Sequence, residues 1–314
     1  MNTELVTVRP LTGRAELDLF RRLSYALDAE FDADLDEGRR RPEWMWIALR
    51  GDRLLARLAW WSRPGAHRPL LLDVLDVDDG LPGADRLDVG ERLLRTALSA
   101  VSGPEGPTPE YTRFVPPDWR DTPAVRRAVE GRMAVAARTG ARPFVERLRL
   151  ERPSGAPVPP PTGRLAFRTP RDEGELTRLM ARVLDGTLDA YSLHDLTTMS
   201  AQEAAEAQYA DELAGYRSPR EWWRVATLPD GEPVGFVIPA HNGYNPIIAY
   251  LAVLPEHRGK GYVDEILAEG TRVLTDQGVP RIRASTDLGN APMAAAFARA
   301  GYHAFEREIV MSWG

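Results

Sequence analysis

The sequence predicts an α/β fold made of two tandem domains, each a twisted mixed sheet flanked by helices. Three observations predict it: a proline-rich segment near the middle, similar openings of the two halves, and a strand that leads through a glycine-spaced loop into a helix. A chain of 314 residues also exceeds one domain of ordinary size.

The proline-rich segment at residues 152–163 reads RPSGAPVPPPTG and shows no periodic apolar pattern. Its prolines favour an extended conformation, so we predict a linker there between domains at 1–151 and 164–314. Both halves begin alike, because Leu5–Pro10 and Leu165–Pro170 are short alternating strands that precede a helix. The repetition indicates a tandem duplication.

The elements of the second half follow from apolar spacing and from turn residues. After the first strand, helices are predicted over 175–184, 202–216, 262–274 and 292–300, and strands over 222–228, 233–238, 247–254, 282–286 and 303–313. The first half is predicted to follow the same course, with strands over 44–49, 54–61, 70–77, 112–115 and 144–150 and helices over 92–101 and 124–139.

The most informative segment is LAVLPEHRGKGYV, from Leu251 to Val263. An apolar strand ends at Pro255, and two glycines then open the helix that starts at Tyr262. Glycine lets a ligand approach the backbone, and the first amides of a helix have no intrahelical acceptor. The segment therefore predicts an anion site for phosphate groups.

The same segment resembles motif A of the GNAT superfamily of N-acetyltransferases, Arg/Gln-x-x-Gly-x-Gly/Ala after a strand. Arg258 and Gly261 match it, whereas Val263 stands where Gly or Ala is usual. Downstream, Asn290 is followed eleven residues later by Gly301 and then by Tyr302, which resembles the family's Asn-(x)10-Gly-aromatic segment.

The resemblance implies that acetyl-CoA lies in a gap between two splayed strands and that a small-molecule amine attacks its thioester directly. It assigns the backbone of Leu251 and Val253 to the pantetheine and thioester. It assigns the binding of the pyrophosphate to the loop and the start of the helix, and it makes Asn290 a further cofactor contact. The pyrophosphate residues implied are Arg258, Gly259, Lys260, Gly261, Tyr262 and Val263.

Acid and base residues are where the sequence departs from the family. Phe297 occupies the position of the usual tyrosine acid, and Ile247 that of the glutamate base. Tyr250 and His241 are the candidate substitutes, although a tyrosine there is more often a packing residue and a turn histidine is more often simply solvated. Asp287 would serve either as a cap for the helix near residue 292 or as a substrate contact.

The first half lacks the chemistry of the second. Residues 78–85, DDGLPGAD, stand between strand and helix with three aspartates at 78, 79 and 85 and no Arg-x-x-Gly-x-Gly. Carboxylates repel a pyrophosphate. The first domain is therefore predicted to be a degenerate GNAT-like domain that shapes the active one.

Composition sets the remaining expectations. A net charge of −6 argues against general binding to nucleic acid or anionic membranes, and no run is apolar enough for a membrane span. The absence of cysteine excludes disulfides, and with no hydrophobic signal core the cytoplasm is the expected location. The sequence leaves the oligomeric state open, including a monomer with an internal pseudo-dimer.

Acidic clusters would suit a cationic acceptor, although solvated helix faces and caps are the favoured explanation. The cluster in the first half comprises Asp28, Glu30, Asp32, Asp34, Asp36 and Glu37, and that in the second Asp185, Asp189, Asp195, Glu203 and Glu206. Two functions from different classes remain: an acetyl-CoA-dependent N-acetyltransferase, and a non-catalytic acyl-CoA-binding or regulatory protein.

Overall fold

The structure is a computed structural model that describes residues 5–101, 109–153 and 155–314. The chain packs into two compact units, one formed by Met1–Val145 with Arg307–Gly314 and the other by Glu146–Glu306. Each unit combines a mixed sheet with helices, so the predicted α/β class is confirmed.

The first unit has strands in the order β1-β2-β3-β4-β5-β12, and β4 and β5 are its parallel pair. Its strands are β1 (Thr7–Pro10), β2 (Met45–Arg50), β3 (Arg53–Trp61), β4 (Leu71–Val77), β5 (Glu110–Val115) and β12 (His303–Ser312). Its helices are α1 (Leu17–Phe20), α2 (Phe31–Asp36), α3 (Gly83–Val101) and α4 (Pro123–Arg138).

The second unit has strands in the order β6-β11-β10-β9-β8-β7. They are β6 (Arg142–Pro153), β7 (Ala166–Arg168), β8 (Arg224–Thr227), β9 (Pro233–His241), β10 (Pro246–Val253) and β11 (Arg281–Asp287). The helices are α5 (Glu173–Val183), α6 (Ala190–Asp195), α7 (Ala201–Asp211), α8 (Tyr262–Thr275) and α9 (Ala291–Arg299). α8 and α9 pack in one apolar cluster, and α5 and α7 in another.

A repeated ion pair supports the tandem duplication. In the first unit Arg9, at the end of β1, donates two hydrogen bonds to Glu16 at 2.9 and 2.6 Å. In the second unit Arg168, at the end of β7, donates two to Glu175 at 2.8 and 2.5 Å. Both pairs span seven residues, and in each a backbone amide four residues earlier also donates to the glutamate.

Packing assigns two strands differently from the predicted domains 1–151 and 164–314. Residues 147–153 of β6 pair with β11 in the second unit. Residues 307–311 of β12 pair with β5 in the first. The last strand of each sequence half thus lies in the unit formed mainly by the other half, which alternation along one strand cannot reveal.

Three local features also differ from expectation. α3 begins at Gly83, inside the segment predicted to be a loop, and α6 lies in a stretch where no helix was predicted. Arg152, at the start of the predicted linker, is a buried residue of β6 that donates 3.1 and 2.6 Å hydrogen bonds to the carbonyls of Ala300 and Ala156. Within the described residues, every helix is too short or too polar to cross a bilayer.

Candidate active site

A gap opens between the parallel strands β10 and β11. Their described register contains a single pair, Ile247 with Arg283, near the start of both strands. On its other edge β10 pairs with β9 from Pro246 to Val253, with a bulge between Ile248 and Tyr250. Because β10 is held on one edge only, its later residues leave backbone groups for a ligand.

The direction of these backbone groups follows from the β9 pairing. Leu254 donates its amide to the Val234 carbonyl at 2.8 Å, so its polar groups face β9. In an antiparallel pair alternate residues face alternate edges, and Leu251 and Val253 therefore face the gap. Their backbone is therefore oriented so that it could bind pantetheine, as predicted from the sequence, and this binding remains a prediction.

The glycine loop has the conformation that only glycine adopts readily. Gly259 and Gly261 have φ of 75° and 76°, in the left-handed region. A Cβ on Gly259 would meet nothing within 4 Å, so the backbone is open on that side. α8 starts directly after Gly261, and the amides of Tyr262 and Val263 are the unsatisfied donors of its first turn.

Arg258 binds protein carbonyls in this structure. Its guanidinium donates to Asp185 O at 2.6 Å and Val183 O at 2.8 Å, and its Nε donates to Val253 O at 3.2 Å. These contacts satisfy carbonyls at the end of α5 and fix the loop relative to β10. A direct contact between Arg258 and a pyrophosphate stays an untested prediction, whereas its positioning role is visible.

Arg164 is a cation at the loop that sequence analysis missed. Its Nη1 donates to the Lys260 carbonyl at 3.2 Å, and its Nε donates to Glu265 at 2.6 Å. Its guanidinium carbon lies 5.1 Å from the centre of the Tyr262 ring. The only available signal was its position just after the proline-rich segment, which does not indicate proximity to residue 260.

Asn290 and Phe297 have structural roles. The Asn290 side-chain oxygen accepts a 3.3 Å hydrogen bond from the Met293 amide and so caps α9. Phe297 is 2% exposed, and its ring centre lies 5.1 Å from that of Tyr302. The Tyr302 hydroxyl in turn bonds to Thr271 Oγ1 at 2.9 Å, and burial raises the pKa of Tyr302 to about 12.

Tyr250 packs toward α5 and α7, with its ring edge-on to Phe236 at 5.0 Å between centres. Burial, and then the charges of Asp189 and Glu212, raise the pKa of Tyr250. Its phenol therefore stays protonated near neutral pH. Within the described residues the hydroxyl makes no hydrogen bond, which leaves it able to donate to a ligand.

His241 lies at the other end of β10. It pairs with Pro246, the first residue of the strand, about 16 Å along the strand from Leu251 at 3.3 Å per residue. Its Nδ1 accepts a 3.1 Å hydrogen bond from the Gly243 amide, so the ring stabilises the β9–β10 turn. A catalytic role for His241 remains untested and has no supporting contact.

Asp287 caps a different helix from the one considered in the sequence. Its carboxylate accepts a 2.7 Å hydrogen bond from the Ala190 amide at the start of α6, and it lies 3.1 Å from Arg147 Nε. Burial raises the pKa of Asp287, and the charge of Asp189 adds to the effect. The side chain thus ties α6 to the end of β11, beside the gap.

The acidic clusters are mostly engaged within the protein. In the first unit Asp34 is fully buried and pairs with Arg39 and Arg40 at 2.7 and 2.9 Å. In the second unit Asp189 caps α6, and Glu203 completes the capping box of α7. These contacts give Asp34, Asp189 and Glu203 structural roles.

The corresponding gap of the first unit is occupied by arginine side chains. β4 pairs with β5 only at Leu71 and Leu72, and its bulge at Asp73 makes Leu75 and Val77 the equivalents of Leu251 and Val253. The Leu75 carbonyl accepts a 3.0 Å hydrogen bond from Arg113.

The second of these carbonyls is occupied in the same way. Val77 O accepts a 2.9 Å hydrogen bond from Arg132. Arg113 also donates to the buried carboxylate of Asp76 at 3.1 Å. Guanidinium groups thus take both carbonyls in the first unit, whereas in the second unit the Val253 carbonyl accepts from Arg258 at 3.2 Å.

A model of a known protein family matches a large part of the second unit. Residues 189–302 match the model of the acetyltransferase (GNAT) family. A GCN5-related N-acetyltransferase from Sphaerobacter thermophilus has a similar fold, with a TM-score of 0.59 at 16% identity over 98% of this chain and 94% of its own.

A tandem GNAT protein from the clavulanic acid biosynthesis pathway is also similar, with a TM-score of 0.54 at 16% identity over 99% of both chains. Members of the family generally transfer acetyl groups from acetyl-CoA. Residues 189–302 are therefore similar to the GNAT acetyltransferase family, and the fold of the chain resembles solved GNAT proteins.

Proposed function

We propose that the protein transfers the acetyl group of acetyl-CoA to the amine of a small molecule. The observation that carries the proposal is that the Leu251 backbone and the Val253 amide face the gap, and that the same segment continues to the helix amides after Gly261. A pantetheine chain hydrogen-bonds to such strand edges, and a pyrophosphate binds at such helix starts.

The chain's own residues fit this donor. The left-handed Gly259 and Gly261 leave the loop backbone open, and Arg258 holds the loop in place through the carbonyls of Asp185 and Val183. Lys260 and Arg164 add positive charge beside the helix start. Bound acetyl-CoA supplies an activated acyl group in its thioester.

Tyr250 is the residue we assign to proton donation. Its Oη holds a proton near neutral pH because burial raises its pKa, and it makes no hydrogen bond to the described protein. The raised pKa also makes it a weaker acid than an ordinary tyrosine. We therefore expect it to stabilise the leaving sulfur chiefly by hydrogen bonding, with a modest effect on rate.

An amine acceptor is favoured by the carboxylates around Tyr250. The charges of Asp189 and Glu212 act on this phenol, and Asp287 lies buried at the end of β11. Together they create a negative potential that attracts a protonated amine. The amine proton would pass to solvent.

In this proposal the first unit is a degenerate domain. Arg113 occupies the carbonyl equivalent to that of Leu251, which a pantetheine would need, and both Arg113 and Arg132 are also bound to an aspartate. Removing Arg113 would take one partner from the buried carboxylate of Asp76, which Arg57 also contacts at 3.1 Å, so the occupied state is favoured. One acetyl-CoA per chain is therefore expected.

The second candidate is a non-catalytic acyl-CoA-binding or regulatory protein. It is favoured by Phe297 and Ile247, which replace the acid and base positions of the family, and by the burial of Phe297 in the core. This alternative keeps the cofactor path and lacks turnover.

Calorimetric titration with acetyl-CoA, followed by a thiol-release assay against a panel of primary amines, tests the proposal. We expect one binding site per chain and thiol release that depends on the amine. Binding without release by any amine would favour the regulatory alternative. No binding would overturn both.

A further inference from the structure

His257 is an unusual buried side chain in the turn before the glycine loop. Only 5% of the residue is exposed, and both ring nitrogens are buried without a hydrogen-bond partner among the described residues. The Tyr262 ring packs edge-on against it, with 6.1 Å between ring centres. Burying unpaired polar atoms costs free energy, so a ligand on one of these nitrogens would recover part of that cost.

Two carboxylates complete a cluster around this ring. Glu232 ends the turn between β8 and β9, and Glu256 directly precedes His257. One ligand atom from each of the three residues lies within 4.8 Å of the others. Both glutamates are exposed, and Glu256 also pairs with Arg182.

The spacing within the cluster matches metal ligands better than a direct ion pair. His257 Nε2 lies 3.3 Å from Glu232 Oε1. A charged N–H to carboxylate hydrogen bond is shorter, about 2.7–2.9 Å. Two ligands held tetrahedrally at about 2.1 Å from a zinc ion lie about 3.4 Å apart.

We propose that His257, Glu232 and Glu256 bind a divalent transition-metal ion of the Zn²⁺ class. Imidazole selects for such ions over Mg²⁺ and Ca²⁺, which prefer oxygen ligands only. The ion would neutralise the two carboxylates and join the β8–β9 turn to the turn before Arg258. This site is separate from the acetyl-transfer proposal, and its test needs neither acetyl-CoA nor turnover.

The test is calorimetric titration of the metal-free full chain with Zn²⁺, with Tm measured in parallel. We expect one Zn²⁺ per chain in this site and a rise in Tm of about 5 °C at saturating Zn²⁺. Glu232→Gln, at an exposed position, should keep the fold and weaken Zn²⁺ binding by at least about tenfold. His257→Gln should do the same if it folds.

Two variants serve as controls. His303→Gln removes an exposed histidine elsewhere, and Glu206→Gln removes an exposed carboxylate on α7. Both should bind Zn²⁺ with unchanged affinity. Equal Zn²⁺ affinity in Glu232→Gln and the original protein would overturn the proposal, as would absence of Zn²⁺ binding or equally tight Mg²⁺ binding.

Discussion

Replacing Gly261 by alanine tests the loop at its most constrained point. Gly261 has φ of 76°, and a Cβ there would lie 3.9 Å from Arg164 Nη2, so the cost to the fold is mainly backbone strain. A left-handed non-glycine residue costs roughly 1–2 kcal/mol. If the loop escapes that strain by changing φ, the amides of Tyr262 and Val263 turn away from the anion.

The expected loss of affinity follows from those two amides. A hydrogen bond to a charged group contributes about 1.5–3 kcal/mol, so losing both weakens acetyl-CoA binding by about 3–6 kcal/mol. At 1.4 kcal/mol per tenfold, Kd rises by a factor of at least about 100. Calorimetric titration measures Kd, and denaturant unfolding measures the free energy of unfolding of the same variant.

Gly278→Ala is the matched control. Gly278 has φ of 70° with nothing within 4 Å of a Cβ, and it follows the other end of α8. The two variants should lose similar stability, and only Gly261→Ala should lose affinity. Unchanged affinity in Gly261→Ala, or an equal loss in Gly278→Ala, would refute the reasoning.

The other predictions concern side chains. Tyr250→Phe should lower kcat about tenfold with little change in the KM for acetyl-CoA, because it removes the hydrogen bond to the leaving sulfur; unchanged kcat would exclude that role. Phe297→Tyr should not raise kcat, and it should lower the free energy of unfolding by about 1–3 kcal/mol if its new hydroxyl is buried without a partner; faster turnover would place residue 297 at the reacting sulfur. Arg258→Gln should weaken acetyl-CoA binding and lower Tm together, since the guanidinium fixes the loop to α5; lost affinity at unchanged Tm would instead indicate direct phosphate contact. The Arg9 hydrogen bond lowers the pKa of Glu16 to about 2, below its usual 4.5. The Arg9–Glu16 pair therefore adds to the free energy of unfolding above about pH 4.5, and this contribution is lost as pH falls toward 2. In Glu16→Gln the free energy of unfolding should fall by roughly 1 kcal/mol less across that pH range than in the original protein.

The sequence by itself determined the strand, loop and helix around residue 261. Glycine spacing, a strand ended by Pro255 and a helical apolar period are local properties, so they predicted α8 from Tyr262 and the donors at its start. The same local patterns predicted most other strands and helices, and the motif residues were enough to indicate the family.

Only the tertiary structure decided what each polar side chain contacts. Arg258 reaches carbonyls more than 70 residues earlier in the chain, and Arg164 reaches a carbonyl almost 100 residues later. Both contacts depend on how distant segments pack, which no local period encodes. The filling of the first unit's gap by Arg113 and Arg132 has the same origin.

The strand pairing of β6 and β12 likewise depended on tertiary packing. In both strands side chains alternate between the two faces of the sheet, and that alternation does not indicate which strand is paired with them. The cluster at His257 is a similar case, because Glu232 and Glu256 come together only when β9 lies beside β10. Sequence fixes the local backbone and the chemistry available, while packing of distant segments selects the partners.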